Sequence, residues 1–324
     1  MQKINPMQYI AVAIANHYGL DKLSWDERIN WVKTNMDNLE NLVPSSPKTK
    51  YLYIKAVKAL RDSQAGKPTG YIMDLDASCS GVQIMAVLGK CKTSASTCNL
   101  INTGKREDTY TSVLSSINGV NITRTQIKEA IVPMLYGSKA KPRELFGEGT
   151  KELKAFNQAV YKTIPILSSL KQLADECWNS NATVHRFTMP DGHVVKLPTL
   201  ITRGYSFNSG KNPVFYSHKE IGISSNSTPL LSAIVHATDA YVSRQMVRMA
   251  NKQGFQLAHI HDSYFTSPVY MQQVRENYVH IMYELAKSTL LEDIVEELTG
   301  KRTEFEYSNP DLYKEIRYAE YALS

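Results

Sequence analysis

Tyr71-Ile72-Met73-Asp74-Leu75-Asp76-Ala77-Ser78-Cys79-Ser80-Gly81-Val82-Gln83 reads as a strand, a tight turn and the start of a helix. Tyr71, Ile72, Met73 and Leu75 suit a buried strand. Ser78, Ser80 and Gly81 interrupt it, and residues 82–88 continue as a helix. Asp76 therefore falls at the carboxyl end of a buried strand, where a charge is costly unless it is paired or binds metal. Asp262 has the same setting in Gln256-Leu257-Ala258-His259-Ile260-His261-Asp262-Ser263. Two strand-end aspartates that meet in space predict a Mg²⁺ site. Mg²⁺ takes one or two protein carboxylates and completes its shell with phosphate and water.

The chain of 324 residues is long enough for one large or two ordinary domains. An apolar fraction of 43% with 21% charged residues fits a soluble globular protein. A net charge of +6 is compatible with a polyanionic partner without requiring one. Cys79, Cys91, Cys98 and Cys177 contain no C-x-x-C pair, which argues against zinc and against a disulfide scaffold and fits a reducing compartment. No apolar run spans a bilayer. The apolar stretch 9–15 follows Pro6 and continues through His17, as a core helix does and a signal segment does not. The expected location is the cytoplasm, that of the host if the gene is a phage's.

Outward from the opening stretch, residues 5–19 read as a helix ended by Gly19, and Ser24-x-x-Glu27 is a capping box opening a helix to about Leu42. Pro44-Ser45-Ser46-Pro47 is a loop, and the next helix puts Tyr51, Ile54, Val57 and Leu60 on a core face. Residues 93–107 read as a polar surface loop. A short helix follows from Asp108, then one capped by Thr123, then a basic exit loop at 139–143. Residues 150–178 are helical and interrupted by Pro165. Residues 183–188 and 193–197 flank Pro190-Asp191-Gly192 as a hairpin. Residues 201–228 read as loop and short strands. Thr228-Pro229 opens a long helix stopped by Gly254, and Pro268 opens another. The acidic last thirty residues read as a solvated face.

Arg124 and Lys128 share a helix face, with Tyr136 near its edge. Two such cations can hold a triphosphate, Arg by bidentate hydrogen bonds and Lys as a point charge. From Arg124 to Arg143 five basic residues stand against one acidic residue, Glu129, a stronger sign of an anionic partner than the global charge. Alone, an Arg-x-x-x-Lys pair is usually a solvated face; its position between the two aspartate segments gives it weight.

Residues 76–83 resemble motif A of the single-subunit, phage T7-type RNA polymerases. Arg124-x-x-x-Lys128-x₇-Tyr136-Gly137 resembles their motif B, and His261-Asp262-Ser263 their motif C. Residues 235–239, with His236, resemble a segment beside the nascent base pair. The resemblance runs from about residue 5 to the end. Ser-Cys-Ser-Gly in motif A and Ser263 after Asp262 resemble the RNA-making branch rather than the related DNA polymerases.

The resemblance implies an α+β, largely helical fold: a right-hand polymerase palm and fingers around a small antiparallel palm sheet. Its parts would be a palm portion with N-terminal helices at 1–105, fingers at 106–225, and palm with a C-terminal tail at 226–324. Asp76 and Asp262, with the Ala77 carbonyl, would hold two Mg²⁺ ions. Lys128 and Arg124 would neutralise the triphosphate, with Lys128 protonating the leaving group. Tyr136, Gly137 and His236 would meet the nucleotide and police its ribose. DNA template, nascent RNA and rNTPs are the implied partners.

Two departures from the family pattern stand out. Pro133 lies inside the motif B helix, where it removes a hydrogen bond to Glu129 and should kink the turn before Tyr136. The N-terminal domain, the thumb and an Asp-x-x-Gly-Arg segment are missing before Asp76. The expectation is therefore a catalytic subunit of a split, two-subunit phage RNA polymerase, of the kind found in N4-like phages, with a second polypeptide supplying the missing parts. The stretch 203–228, in the place of the family's promoter hairpin, looks short and poor in basic residues. A single-stranded-DNA-binding or promoter-recruiting factor is the implied helper. The alternatives are a DNA polymerase or primase-like variant, and a non-catalytic nucleic-acid-binding remnant.

Overall fold

The computed structural model describes residues 1–209 and 212–324. Three helices come first: α1 (Pro6–Ala15), α2 (Trp25–Thr34) and α3 (Lys50–Gln64). Then follow β1 (Met73–Asp76), α4 (Ser80–Leu88), α5 (Lys92–Thr97), α6 (Thr109–Ser115), α7 (Arg124–Leu135), α8 (Ala140–Phe146), α9 (Lys151–Thr163) and α10 (Ile166–Cys177). Two hairpins come next, β2 (Val184–Thr188) with β3 (Val194–Pro198), and β4 (Leu200–Ser209) with β5 (Asn212–Ile221). The chain closes with α11 (Thr228–Lys252), β6 (Ala258–Ile260), β7 (Ser263–Thr266), α12 (Met271–Lys287), α13 (Leu290–Thr299) and α14 (Leu312–Ile316). The fold is α+β and largely helical, with small antiparallel sheets.

Local chemistry sets the helix starts. Asn5 and Gln8 cap α1 reciprocally, as Ser24 and Glu27 cap α2 and Thr123 and Gln126 cap α7. Gly19, at φ 114°, ends the π-type turn that extends α1. The expected break at Pro165 separates α9 from α10. The central sheet has the order β1-β7-β6, all antiparallel. Beneath it α4, buried from Gly81 to Leu88, packs against α5, α7, α10, α11 and α12. Gln83 is fully buried there and fully bonded: its amide donates to the carbonyls of Cys98 and Ala322, and its oxygen accepts from Tyr278 Oη at 2.6 Å.

Several local expectations are corrected. Helix α2 stops at Thr34, where the Asn35 side chain donates to the Trp31 carbonyl and competes with the backbone, and a 3₁₀ turn follows over Met36–Asn41. On α3 the core face is rotated: Tyr53, Ala56, Val57 and Leu60 are buried, whereas Tyr51 is 78% and Ile54 51% exposed. The stretch 93–107 is no plain surface loop. It begins inside α5, and Ser94, Ala95, Cys98, Asn99 and Leu100 are buried because local hydrogen bonds, such as Asn99 with Glu107, satisfy its polar groups. The basic stretch at 139–143 enters a helix, α8. The stretch read as loop and short strands holds two paired ten-residue strands, β4 and β5, so its hairpin is long; residues 210–211 lie outside the described residues. The tail is not a solvated face from residue 312 on: Leu312, Ile316, Ala319, Ala322 and Leu323 are buried.

Candidate active site

Strand pairing builds the site. β1 and β7 run antiparallel with Asp76 opposite Ser263, and the Ala77 N–H donates to the Asp262 carbonyl at 3.1 Å. Asp76 at the end of β1 is thus a diagonal neighbour of Asp262, which lies not at the end of a buried strand, as expected, but in the turn between the exposed strand β6 and strand β7. Asp262 follows His261, whose φ of 53° makes the tight β6–β7 turn. Cys79, at φ 64°, makes the matching turn from β1 into α4. Burial pushes the Cys79 thiol up to about 11, so it stays protonated at neutral pH.

Residues 322–324 complete this end of the sheet. Ala77 bridges Leu323, Ser78 N–H donates to the Ala322 carbonyl, and Ser324 N–H donates to the Asp76 carbonyl at 2.9 Å. No motif in the sequence marked the tail for this place.

A cleft of about 440 Å³ opens in front of β1, lined by Asp74, Asp76, Ala77, Lys128 and, among others, His17, Lys22 and Arg106. Asp76 itself is exposed to it. The desolvation cost that singled Asp76 out therefore belongs to its neighbours. Burial raises the Asp262 carboxyl above its usual range, a hydrogen bond from Ser80 opposes this, and the Asp76 charge adds to the rise. Burial and then Asp76 also raise Asp74, which lies two residues back on the same strand face; His17 acts against them.

The motif B residues divide. Lys128 is exposed and lines the cleft. Arg124 lies outside that lining and is held by Asp108 through Nε at 2.6 Å and Nη2 at 2.9 Å. Burial works to raise Asp108, but hydrogen bonds from Arg124 and Thr111 outweigh it and hold the carboxyl at about 2. α7 runs past Pro133 to Leu135, with Tyr136 as its C-cap. Tyr136 stacks on His236 of α11, ring centroids 4.3 Å apart and planes 6° from parallel. Gly137, at φ 85°, lies against Thr228, where a side chain would collide.

Sequence reasoning missed Asp239, one turn beyond His236 on α11. Burial and then Asp262 raise its carboxyl to about 6. It also missed Asp74, Lys22 and Arg106. Asp74 alternates with Asp76 along the strand, a signal that period-2 reading can supply; Lys22 and Arg106 carry no such signal.

A family profile described as DNA-dependent RNA polymerase matches residues 3–138. The mitochondrial DNA-directed RNA polymerase 1B of Nicotiana tabacum is 19% identical over 94% of this chain and 36% of its own length. The mitochondrial DNA-directed RNA polymerase 1 of Arabidopsis thaliana is 21% identical over 94% of this chain and 37% of its own. A DNA-directed RNA polymerase of Pseudomonas phage phiKMV is 27% identical over 35% of this chain and 16% of its own. The chain thus spans about a third of the length of the plant relatives it matches. Among the described residues no helix is long and apolar enough to cross a membrane.

Proposed function

We propose that the chain, whose residues 3–138 match the DNA-dependent RNA polymerase profile, is a member of the single-subunit, phage T7-type RNA polymerase family and carries the chemistry of DNA-templated RNA synthesis. The reaction is transfer of a nucleotidyl group from an rNTP to an RNA 3′-hydroxyl, with release of pyrophosphate. The observation that carries this reading is the β1–β7 register, which makes Asp76, at the cleft that Lys128 also lines, a diagonal neighbour of Asp262.

The donor set suits Mg²⁺. It consists of hard carboxylate oxygens, and Asp262 and Asp74 are raised by burial, with a smaller rise from the Asp76 charge, a cost that a bound cation would offset. Among the described residues no three His, Cys, Asp or Glu side chains gather as a metal cage, so nucleotide phosphates and water would complete the shell. Asp76 and Asp262 would hold the metal, and the Ala77 carbonyl, which already accepts from Cys79 N–H, keeps a second lone pair for it. Two bound Mg²⁺ ions would supply charge to activate the 3′-hydroxyl and to stabilise the departing pyrophosphate.

The chain's own residues then orient and neutralise. Lys128 would face the triphosphate and give a proton to the leaving group. Arg124 reaches phosphate only by giving up Asp108. Tyr136, held by His236 and released into its turn by Gly137, would close on the ribose. In this reading residues 1–105 and 226–324 form the palm and 106–225 the fingers. A second polypeptide would supply the thumb and the Asp-x-x-Gly-Arg grip on the hybrid, and a single-stranded-DNA-binding or promoter-recruiting factor would deliver the template.

The test is primer extension on a preformed RNA–DNA hybrid with Mg²⁺ and rNTPs, by the chain alone and with the candidate partner. Asp262→Asn is expected to lower extension by at least a thousandfold and to leave hybrid binding within about twofold. Undiminished extension by this variant would remove the mechanism. A preference for dNTPs would move the chain to the DNA polymerases.

A further inference from the structure

We propose that Arg106 binds the triphosphate of the incoming nucleotide, adding to this cleft a second guanidinium beside that of Arg124, which Asp108 engages. The inference rests on the nucleotidyl-transfer reading above.

The two arginines differ in how their charge is engaged. Arg124 gives Nε and Nη2 to both oxygens of Asp108 and stands outside the cleft lining. Arg106 lines the cleft together with Asp76 and Lys128. Among the described residues its one hydrogen bond runs from Nε to Ser324 Oγ at 3.2 Å. Asp21 and Asp108 act on it only through space. Of the five N–H donors of a guanidinium, four are left without a protein acceptor.

Asp21 and Asp108 favour the charge of half-buried Arg106 from a distance, but among the described residues no carboxylate touches it, and the cost of desolvation outweighs them. Burial accordingly pulls the Arg106 guanidinium below its ordinary range, although an arginine remains charged. An anion entering the cleft would supply the missing partner. A phosphate group matches the guanidinium fork with two parallel hydrogen bonds, which a lysine ammonium cannot offer. The other cations on this wall are differently placed: Lys22 is already paired with Asp21 at 2.7 Å, and Lys128 is a point charge on an exposed helix face. Ser324 holds the Nε edge of Arg106 and leaves the rest of the fork unengaged.

Phosphate in this cleft has two sources, the incoming nucleotide and the nucleic-acid backbone, and equilibrium binding to the full chain separates them. The probes are a Mg²⁺–rNTP, inorganic tripolyphosphate, the free ribonucleoside and an RNA–DNA hybrid, at fixed ionic strength. Arg106→Gln is expected to weaken rNTP and tripolyphosphate binding about tenfold to a hundredfold, the range of a charge-assisted contact. Nucleoside and hybrid binding should stay within about twofold, which a general loss of structure would not allow. Arg106→Lys keeps the charge without the fork and should weaken both triphosphate probes about three- to tenfold, so it decides the matter if the Gln variant does not fold. Ser324→Ala should change triphosphate affinity less than about threefold. Wild-type triphosphate affinity in both Arg106 variants, or a loss confined to the hybrid, would overturn the assignment. Failure of the wild-type chain to bind any rNTP is a different result and would overturn the nucleotide-site reading itself.

Discussion

At position 81 a hydrogen stands where any other residue carries a carbon, and Tyr136 uses the space. A Cβ there would lie 3.2 Å from Tyr136 Oη and 3.7 Å from Leu135 Cδ1. Gly81 is helical, so alanine brings no backbone strain and gains about 0.5–1 kcal/mol of helix propensity. Gly81→Ala is therefore expected to leave stability within about 1 kcal/mol while shifting the Tyr136 ring. If Tyr136 meets the ribose, single-nucleotide incorporation should fall about tenfold or more and rNTP/dNTP selectivity should change. Melting curves beside incorporation kinetics check this, and unchanged kinetics would detach Tyr136 from the substrate. The motif spacing made Asp76, Lys128, Tyr136 and Asp262 legible as candidates. It did not show that Arg124 is engaged by Asp108, because a salt bridge between residues sixteen apart depends on how α6 meets α7.

The β2–β3 hairpin shows how an element is fixed in place. Its turn carries Asp191, whose carboxylate accepts from Arg244 at 2.6 and 2.9 Å and from Arg248 at 3.2 Å, both on α11. The hydrogen bond from Arg244 is the largest reason the carboxyl sits at about 2 rather than the ordinary 3.8. A depressed carboxyl stabilises the fold above its unfolded pKa and loses that contribution as pH falls through the folded value. This tie is therefore complete above about pH 4 and is lost towards pH 2. Both arginines are partly exposed, so the contribution is discounted to about 1 kcal/mol. Asp191→Asn should lower stability by about 1–2 kcal/mol at pH 7 and flatten the stability profile between pH 4 and 2, as read by urea unfolding at each pH. The hairpin itself was legible from Pro190-Asp191-Gly192; its arginine anchors were not. The β4–β5 hairpin was underread because Tyr205, Phe207, Phe215 and Tyr216 are exposed on both faces, so no alternation of buried and exposed residues announces the strands.

The whole molecule is closed by its two ends. Trp25 of α2 is fully buried, with Arg28 and Arg275 over its ring at 4.2 and 4.4 Å and Tyr321 stacked at 5.5 Å. Arg275, 1% exposed, donates to Glu320 Oε1 at 2.7 Å and to Tyr9 Oη at 3.0 Å. Helices α1, α2 and α12 and the tail thus meet at one charge. Removing one partner of such a pair leaves the other buried and uncompensated. Glu320→Ala should cost about 3–5 kcal/mol in urea unfolding at pH 7. Because residue 320 leads into residues 322–324, it should also loosen the bridge at Ala77 and weaken nucleotide binding in the cleft. A loss under about 1 kcal/mol would mean that the tail docks independently of this charge.

The sequence by itself determined the local chemistry: the capping boxes, the breaks at Gly19 and Pro165, the hairpin turns, and Asp76 at a strand end, whereas Asp262 sits in the turn between the exposed strand β6 and strand β7 rather than at the end of a buried strand. These are legible because each depends on residues a few positions apart, whose backbone geometry the side chains nearest them dictate. Only the tertiary structure decided that Asp76 is exposed while Asp74, Asp239 and Asp262 bear the cost of burial, that Tyr136 stacks on His236, and that residues 322–324 lie against motif A. Only it showed that, among the described residues, Arg124 has a carboxylate partner and Arg106 has none in contact. Burial and charge pairing are set by which elements come together across hundreds of residues, and no spacing along one chain records that.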